Sequence, residues 1–124
     1  MKEVAMIFGA AYGSLAVVFG AFGAHALKKR FTPEQQQSFE TGVKYQMYHA
    51  LVLLLIGSTL ELESTVESLF TWCFILGTFL FSFSIYGLCL SSASGKKLRL
   101  LGPVTPLGGL LLTAGWVGLL VYFW

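Results

Sequence analysis

Charge is what this sequence has least of. Only 11% of its 124 residues are Asp, Glu, Lys or Arg, and the formal net charge is +2. A soluble domain uses roughly 25% charged residues to clothe its surface, so that class is excluded. So small a net charge also excludes nucleic acid as a partner, because phosphate binding needs a clustered basic surface. Cysteine is scarce: there are only two, Cys73 and Cys89. On one helix they would lie about 24 Å apart, beyond disulfide reach, and both read as small buried apolar residues. No Walker pattern, dinucleotide fingerprint or Ser-His-Asp order occurs. The expectation is therefore a protein that is not an enzyme and carries no cofactor.

Oil is what the chain has in excess. Hydrophobic residues make up 56% and aromatics 15%, with 14 glycines, and the mean hydropathy is +0.74. Four apolar segments, residues 4–27, 43–60, 69–90 and 104–124, each approach the roughly 20 residues that span a bilayer. The breaks between them are short, so neighbouring helices should run antiparallel. The predicted fold is an all-α, integral membrane four-helix bundle. It is a single domain over residues 1–124, with helices at about 4–27, 33–60, 69–90 and 106–124. Its first partner is the lipid bilayer.

A cleaved leader is not expected. Ala24-His25-Ala26 resembles a cleavage site, but Lys28, Lys29 and Arg30 follow at once and oppose translocation. Seven of the eight basic residues fall in or beside the first and third breaks, and the second holds Glu61, Glu63 and Glu67 instead. The positive-inside rule then puts both termini on the non-cytoplasmic side of the cell (cytoplasmic) membrane. Thr32-Pro33 with Gln35 is a capping box with proline at the first helical position. The second helix thus starts well before its apolar part, with Gly42 as a hinge. Thr105-Pro106 promises the same start for the fourth helix.

Small residues recur every three or four positions. Gly9, Gly13 and Gly20 form a stripe on the first helix, Gly77 belongs to one on the third, and Gly108 and Gly115 to one on the fourth. Lipid gives helices no hydrophobic reason to associate, so close backbone approach must hold the bundle.

No acid or basic residue lies deep in any span, which argues against a carboxylate proton relay. The polar groups at depth are Tyr45, Gln46, His49, Ser82, Ser84, Tyr86 and Thr113, with His25 near the inner edge. Counting rise from the outer ends puts His25 about 31 Å deep and His49 about 16 Å. That gap excludes a shared metal, whose bonds to nitrogen are about 2 Å, and no metal site is expected. The same count pairs His25 with Glu40, His49 with Thr113 and Gln46 with Ser82. The expectation is an interior polar layer of Gln46, His49, Ser82, Ser84 and Thr113. Such a layer either fixes packing or forms a pocket for a ligand or proton. Trp116 reads as packing.

Three ordered motifs carry a resemblance: Gly20-Ala-Phe-Gly-Ala-His-Ala-Leu27, Thr41-Gly-Val-Lys-Tyr-Gln-Met-Tyr-His-Ala50, and Gly102-Pro-Val-Thr-Pro-Leu-Gly-Gly109 with Gly115-Trp116. The chain resembles a family of small bacterial membrane proteins known as domain of unknown function 423, to which eukaryotic transmembrane protein 256 is similar. Phe83 departs from the pattern, where a small residue would be expected. The resemblance implies four helices in a cytoplasmic or inner mitochondrial membrane, and no established activity. The functional expectation is a binding, accessory or assembly module, as a homo-oligomer or a small subunit of a larger membrane complex. The alternative is a small-solute or proton carrier built around His49.

Overall fold

A computed structural model describes all 124 residues. Four helices form it: α1 Lys2–Ala24, α2 Pro33–Thr59, α3 Thr65–Ala93 and α4 Val104–Phe123, with a short 3-10 turn at Arg99–Leu101. α1 packs along α2 and α3 along α4, and α2 joins the two hairpins by lying against α3. Three stretches, Lys2–Ala24, Thr65–Ala93 and Arg99–Phe123, are long and apolar enough to cross a membrane. The α2 helix was expected to match them and does not, because Lys44, Gln46 and His49 interrupt its apolar part. It turns Gln46 and His49 inward, where both are buried.

The Lys2–Glu61 ion pair, at 3.5 Å, ties the N-terminus to the acidic turn. Tyr122, near the C-terminus, meets Phe70 close to that same turn. At the opposite end Gln35 Nε2 donates to Ser92 Oγ at 3.1 Å, beside the two basic turns. The basic turns and the acidic turn thus occupy opposite ends.

Local chemistry sets the helix starts. Thr32 Oγ1 accepts from the Gln35 amide and Gln35 Oε1 from the Thr32 amide, at 3.2 and 3.0 Å. α3 starts with the same reciprocal box between Ser64 and Glu67. Just before it, Leu62 takes a left-handed φ of 55° while its side chain is buried in the core. Thr32→Ala should lower stability by about 1 kcal/mol, read as thermal loss of helical circular dichroism in detergent.

Two expectations about the helices need correction. α4 begins at Val104 with no side-chain cap, because Thr105 bonds across to Ser84 instead, at 2.6 Å. Pro106 falls within the first turn, whose amides have no intrahelical acceptor in any case. Gly42 is not a hinge: α2 runs unbroken through it. A Cβ there would lie 2.9 Å from the Tyr86 ring, so the glycine makes room for an aromatic.

The apolar core has two parts. One, towards the acidic turn, is built on Tyr12, Leu53, Phe70, Phe74 and Leu112. The other, towards the basic turns, is built on Phe31, Phe39, Ile85 and Tyr86. Phe83 packs its ring near Tyr12, Phe19 and Tyr86, filling the space between α1 and α3. Around it α3 widens into one π turn, Phe79–Phe83.

Candidate functional site

Gln46 sits where the two core clusters meet and is fully buried. Its Nε2 donates to the Tyr12 carbonyl at 2.8 Å, and its Oε1 accepts from the Tyr86 hydroxyl at 2.6 Å. One amide thereby joins α1, α2 and α3. Tyr12 adds a second tie, its hydroxyl donating to the Ile75 carbonyl at 2.8 Å. Ser82, on the π turn, donates to the Gly42 carbonyl at 2.7 Å. Each of these bonds crosses between helices where no water can compete, so an unmet partner would be costly.

His49 is tied twice. Nδ1 lies 2.7 Å from the Tyr45 carbonyl, and Nε2 accepts from the Trp116 indole N–H at 3.1 Å. A carbonyl only accepts and an indole N–H only donates. The ring is therefore neutral with its proton on Nδ1, and neither nitrogen is free for a ligand. Nitrogen-15 spectra of histidine-labelled protein should show this single tautomer. Trp116→Phe should move the Nε2 resonance and leave Nδ1 in place.

The predicted layer assembles only in part. Gln46, Ser82 and Ser84 are buried and bonded across helices, His49 joins them one step aside, and Tyr86, not assigned to the layer from sequence, enters it through Gln46. Thr113 does not belong: it is exposed on the outer face of α4 and bonds its own helix at Gly109. His49 meets Trp116 instead, nearly one turn further along. Gln46 likewise misses Ser82, which bonds at Gly42, one turn before Gln46 on α2. Tyr45 is 41% exposed. His25 and Glu40 are both exposed and share no hydrogen bond. Gln36 stands between their helices, donating to the Gly23 carbonyl at 2.9 Å and to Glu40 at 3.4 Å.

A second feature lies at the basic end. A cleft of about 1130 Å³ opens between the start of α2, the end of α3 and the turn leading into α4. Lys97, Arg99 and Glu34 line it together with several hydroxyls. No group of three His, Cys, Asp or Glu side chains is placed so that it could hold a metal ion.

The family model described as protein of unknown function (DUF423) matches residues 19–109, a stretch that holds the whole polar layer except Tyr12 and Trp116. The chain belongs to that family. A UPF0382 membrane protein of Staphylococcus haemolyticus is 39% identical over 116 residues, 94% of this chain and 91% of its own. The UPF0382 membrane protein YwdK of Bacillus subtilis is 38% identical over 121 residues, 96% of this chain and 94% of its own. The UPF0382 inner membrane protein YgdD of Escherichia coli K12 is 40% identical over 119 residues, 94% and 86% of the two chains. No solved structure matches. This DUF423 chain is thus a multi-pass membrane protein of the cell (cytoplasmic) membrane.

Besides Tyr86, which it listed only as a polar group at depth, sequence reasoning passed over two members of the layer in this DUF423 chain. Tyr12 lies on the face of Gly9 and Ala16, and that helical spacing was the signal that its phenol points inward. Trp116 was placed as packing, and nothing in its neighbours announces that its N–H meets a histidine on α2.

Proposed function

We propose that this DUF423 protein is a binding or accessory module of the membrane, not an enzyme and not a carrier. The observation that carries this reading is the closed polar layer: Gln46, Ser82, Tyr86 and His49 spend their hydrogen bonds on the protein itself. Carriers instead keep an open polar site near the bilayer midplane. The second reading, a carrier around His49, finds no free nitrogen on that ring.

Lateral association is part of the proposal, either as a homo-oligomer or as a small subunit of a larger membrane complex. Tyr45 and Tyr48 stand 41% and 54% exposed on α2, and no other residue engages their hydroxyls. Polar groups turned towards lipid find partners on neighbouring helices. The distribution of basic residues supports an orientation with both termini on the non-cytoplasmic side.

Cross-linking in native membranes should give species larger than the monomer; monomer alone would refute the assembly. Lys97→Cys should react with an impermeant thiol reagent only in inside-out vesicles, and Glu63→Cys only in right-side-out ones. The opposite labelling would invert the topology. A His49→Ala strain that loses a transport or pH phenotype would restore the carrier reading.

A further inference from the structure

The cleft at the basic end touches the interior layer only at Thr105, the partner of Ser84, and its walls are of two kinds. Ile85 and Leu88 of α3 form an apolar floor, faced by the hydroxyl residues Ser38 and Thr41 of α2 and Thr105 of α4. Lys97 and Arg99 stand at the rim against a single acid, Glu34. Neither cation is held in an ion pair, since Lys2–Glu61 is the sole salt bridge in the protein. Positive charge is therefore in excess over a cleft that is polar at its mouth and apolar at its base.

The rim has the character of a segment lying in the membrane interface. Leu98 and Leu100 alternate with Lys97 and Arg99, and they are 56% and 89% exposed. In water such leucines would be a liability, whereas at the headgroup level they enter the acyl boundary while the cations meet phosphate. The polar first turns of α2, which project beyond its apolar part, lie beside them.

We propose that this cleft binds the phosphate head group of an anionic phospholipid, with the first carbons of an acyl chain on the Ile85–Leu88 floor. A guanidinium presents paired donors that fit phosphate oxygens, and Lys97 adds a compact charge beside it. Basic clefts between membrane helices at this depth take anionic lipid head groups. A zwitterionic lipid would bring its own cation towards Lys97 and Arg99, with only Glu34 to receive it. A soluble phosphate would leave the apolar floor uncovered, which favours the lipid as occupant.

This inference rests on the reading of the protein as a binding module. Its test scores lipid occupancy alone, so the assembly measured by cross-linking can survive its failure. Full-length protein is taken from vesicles of phosphatidylcholine mixed with phosphatidylglycerol, and the lipids it retains are counted by native mass spectrometry. Wild type should retain phosphatidylglycerol in preference to phosphatidylcholine. Lys97→Gln with Arg99→Gln should reduce that retention about tenfold or more. Ser38→Trp fills the cleft without changing charge and should do the same. Lys28→Gln with Lys29→Gln removes equal charge from the other basic turn and should leave retention intact. Equal loss in both charge pairs would reduce the effect to general surface attraction and overturn the site. Equal retention of the two lipids would overturn it as well. A third overturning result is phosphorus NMR that shows inorganic phosphate bound through Lys97 and Arg99 while no phosphatidylglycerol is kept. The cleft would then be a soluble-anion site, and the lipid assignment would fall.

Discussion

Gly108→Ala is expected to cost about 3 kcal/mol and to loosen the α3–α4 hairpin, although it adds only one methyl group. An ideal Cβ at Gly108 would fall 2.7 Å from the Phe81 Cα and 2.9 Å from the Leu80 carbonyl carbon. These are backbone atoms, and no rotamer change can move them aside. Phe81 lies in the middle of the π turn, the part of α3 that faces Gly108. Overpacking of this kind typically costs about 1–3 kcal/mol, and an obstruction made of backbone belongs at the upper end. Gly13→Ala is the matched control. The nearest atom to its added methyl is the Ala50 Cβ at 3.8 Å, an ordinary contact. Alanine is the better helix former by roughly 0.5–1 kcal/mol, so this variant should be neutral or more stable than wild type. Unfolding titrations in mixed micelles, followed by circular dichroism, should show the two substitutions with opposite signs. If both are tolerated, the close approach of α3 and α4 is wrong.

Gln46→Leu should have the next largest effect, because it removes the one side chain bonded to both α1 and α3. The Tyr12 carbonyl keeps its own helical bond, so the main loss falls on the Tyr86 hydroxyl, which is left buried without an acceptor. An orphaned buried group costs about 1–3 kcal/mol. Tyr86→Phe removes the hydroxyl itself, and in the double variant nothing is orphaned. The double variant should therefore be less damaged than the sum of the single ones. The coupling should be about 0.6–1.7 kcal/mol, the range found for interhelical bonds in membranes. Strict additivity would mean that the two side chains do not bond.

How much of this was legible beforehand differs from element to element. The helices could be read because each carries its own evidence: α1, α3 and α4 an apolar run of spanning length, and α2 a complete cap at Thr32-Pro33, with basic or acidic turns between them. The membership of the polar layer was legible for Gln46, His49, Ser82 and Ser84, since polar residues at depth on packed faces have few alternatives, whereas Tyr86 was read only as a polar group at depth. The pairings were not legible. Counting rise from assumed helix ends assigns depth to within about one turn, or 5.4 Å, and a hydrogen bond requires far better. That error put Thr113 opposite His49, where Trp116 in fact stands, and Ser82 opposite Gln46 rather than Gly42. Thr113 also shows that depth alone does not choose a face, because rotation about the helix axis decides whether a residue meets a neighbour or lipid.

The glycine stripes divide in the same way. Spacing marked Gly9, Gly13, Gly20, Gly77, Gly108 and Gly115 alike, yet a methyl group would fit readily at Gly13. At Gly77 it would meet the Leu112 backbone amide at 2.9 Å, and at Gly115 the Phe74 ring at 2.9 Å. At Gly9 it would come within 3.0 Å of the Ala50 carbonyl oxygen. The π turn had no sequence signature at all. It arises where Ser82 reaches the Gly42 carbonyl on one side and Gly108 receives the backbone on the other.

The linear order of residues by itself determined the solvent, the number of helices, their antiparallel succession and the gathering of cations at one end. Each of those follows from local composition and chain length, which no distant contact can overrule. Tertiary structure alone decided which polar atoms meet, which glycines are indispensable, and that Lys97 and Arg99 overlook an open cleft. Those depend on the relative rotation and sliding of whole helices, settled by the sum of many weak contacts between residues far apart in the chain.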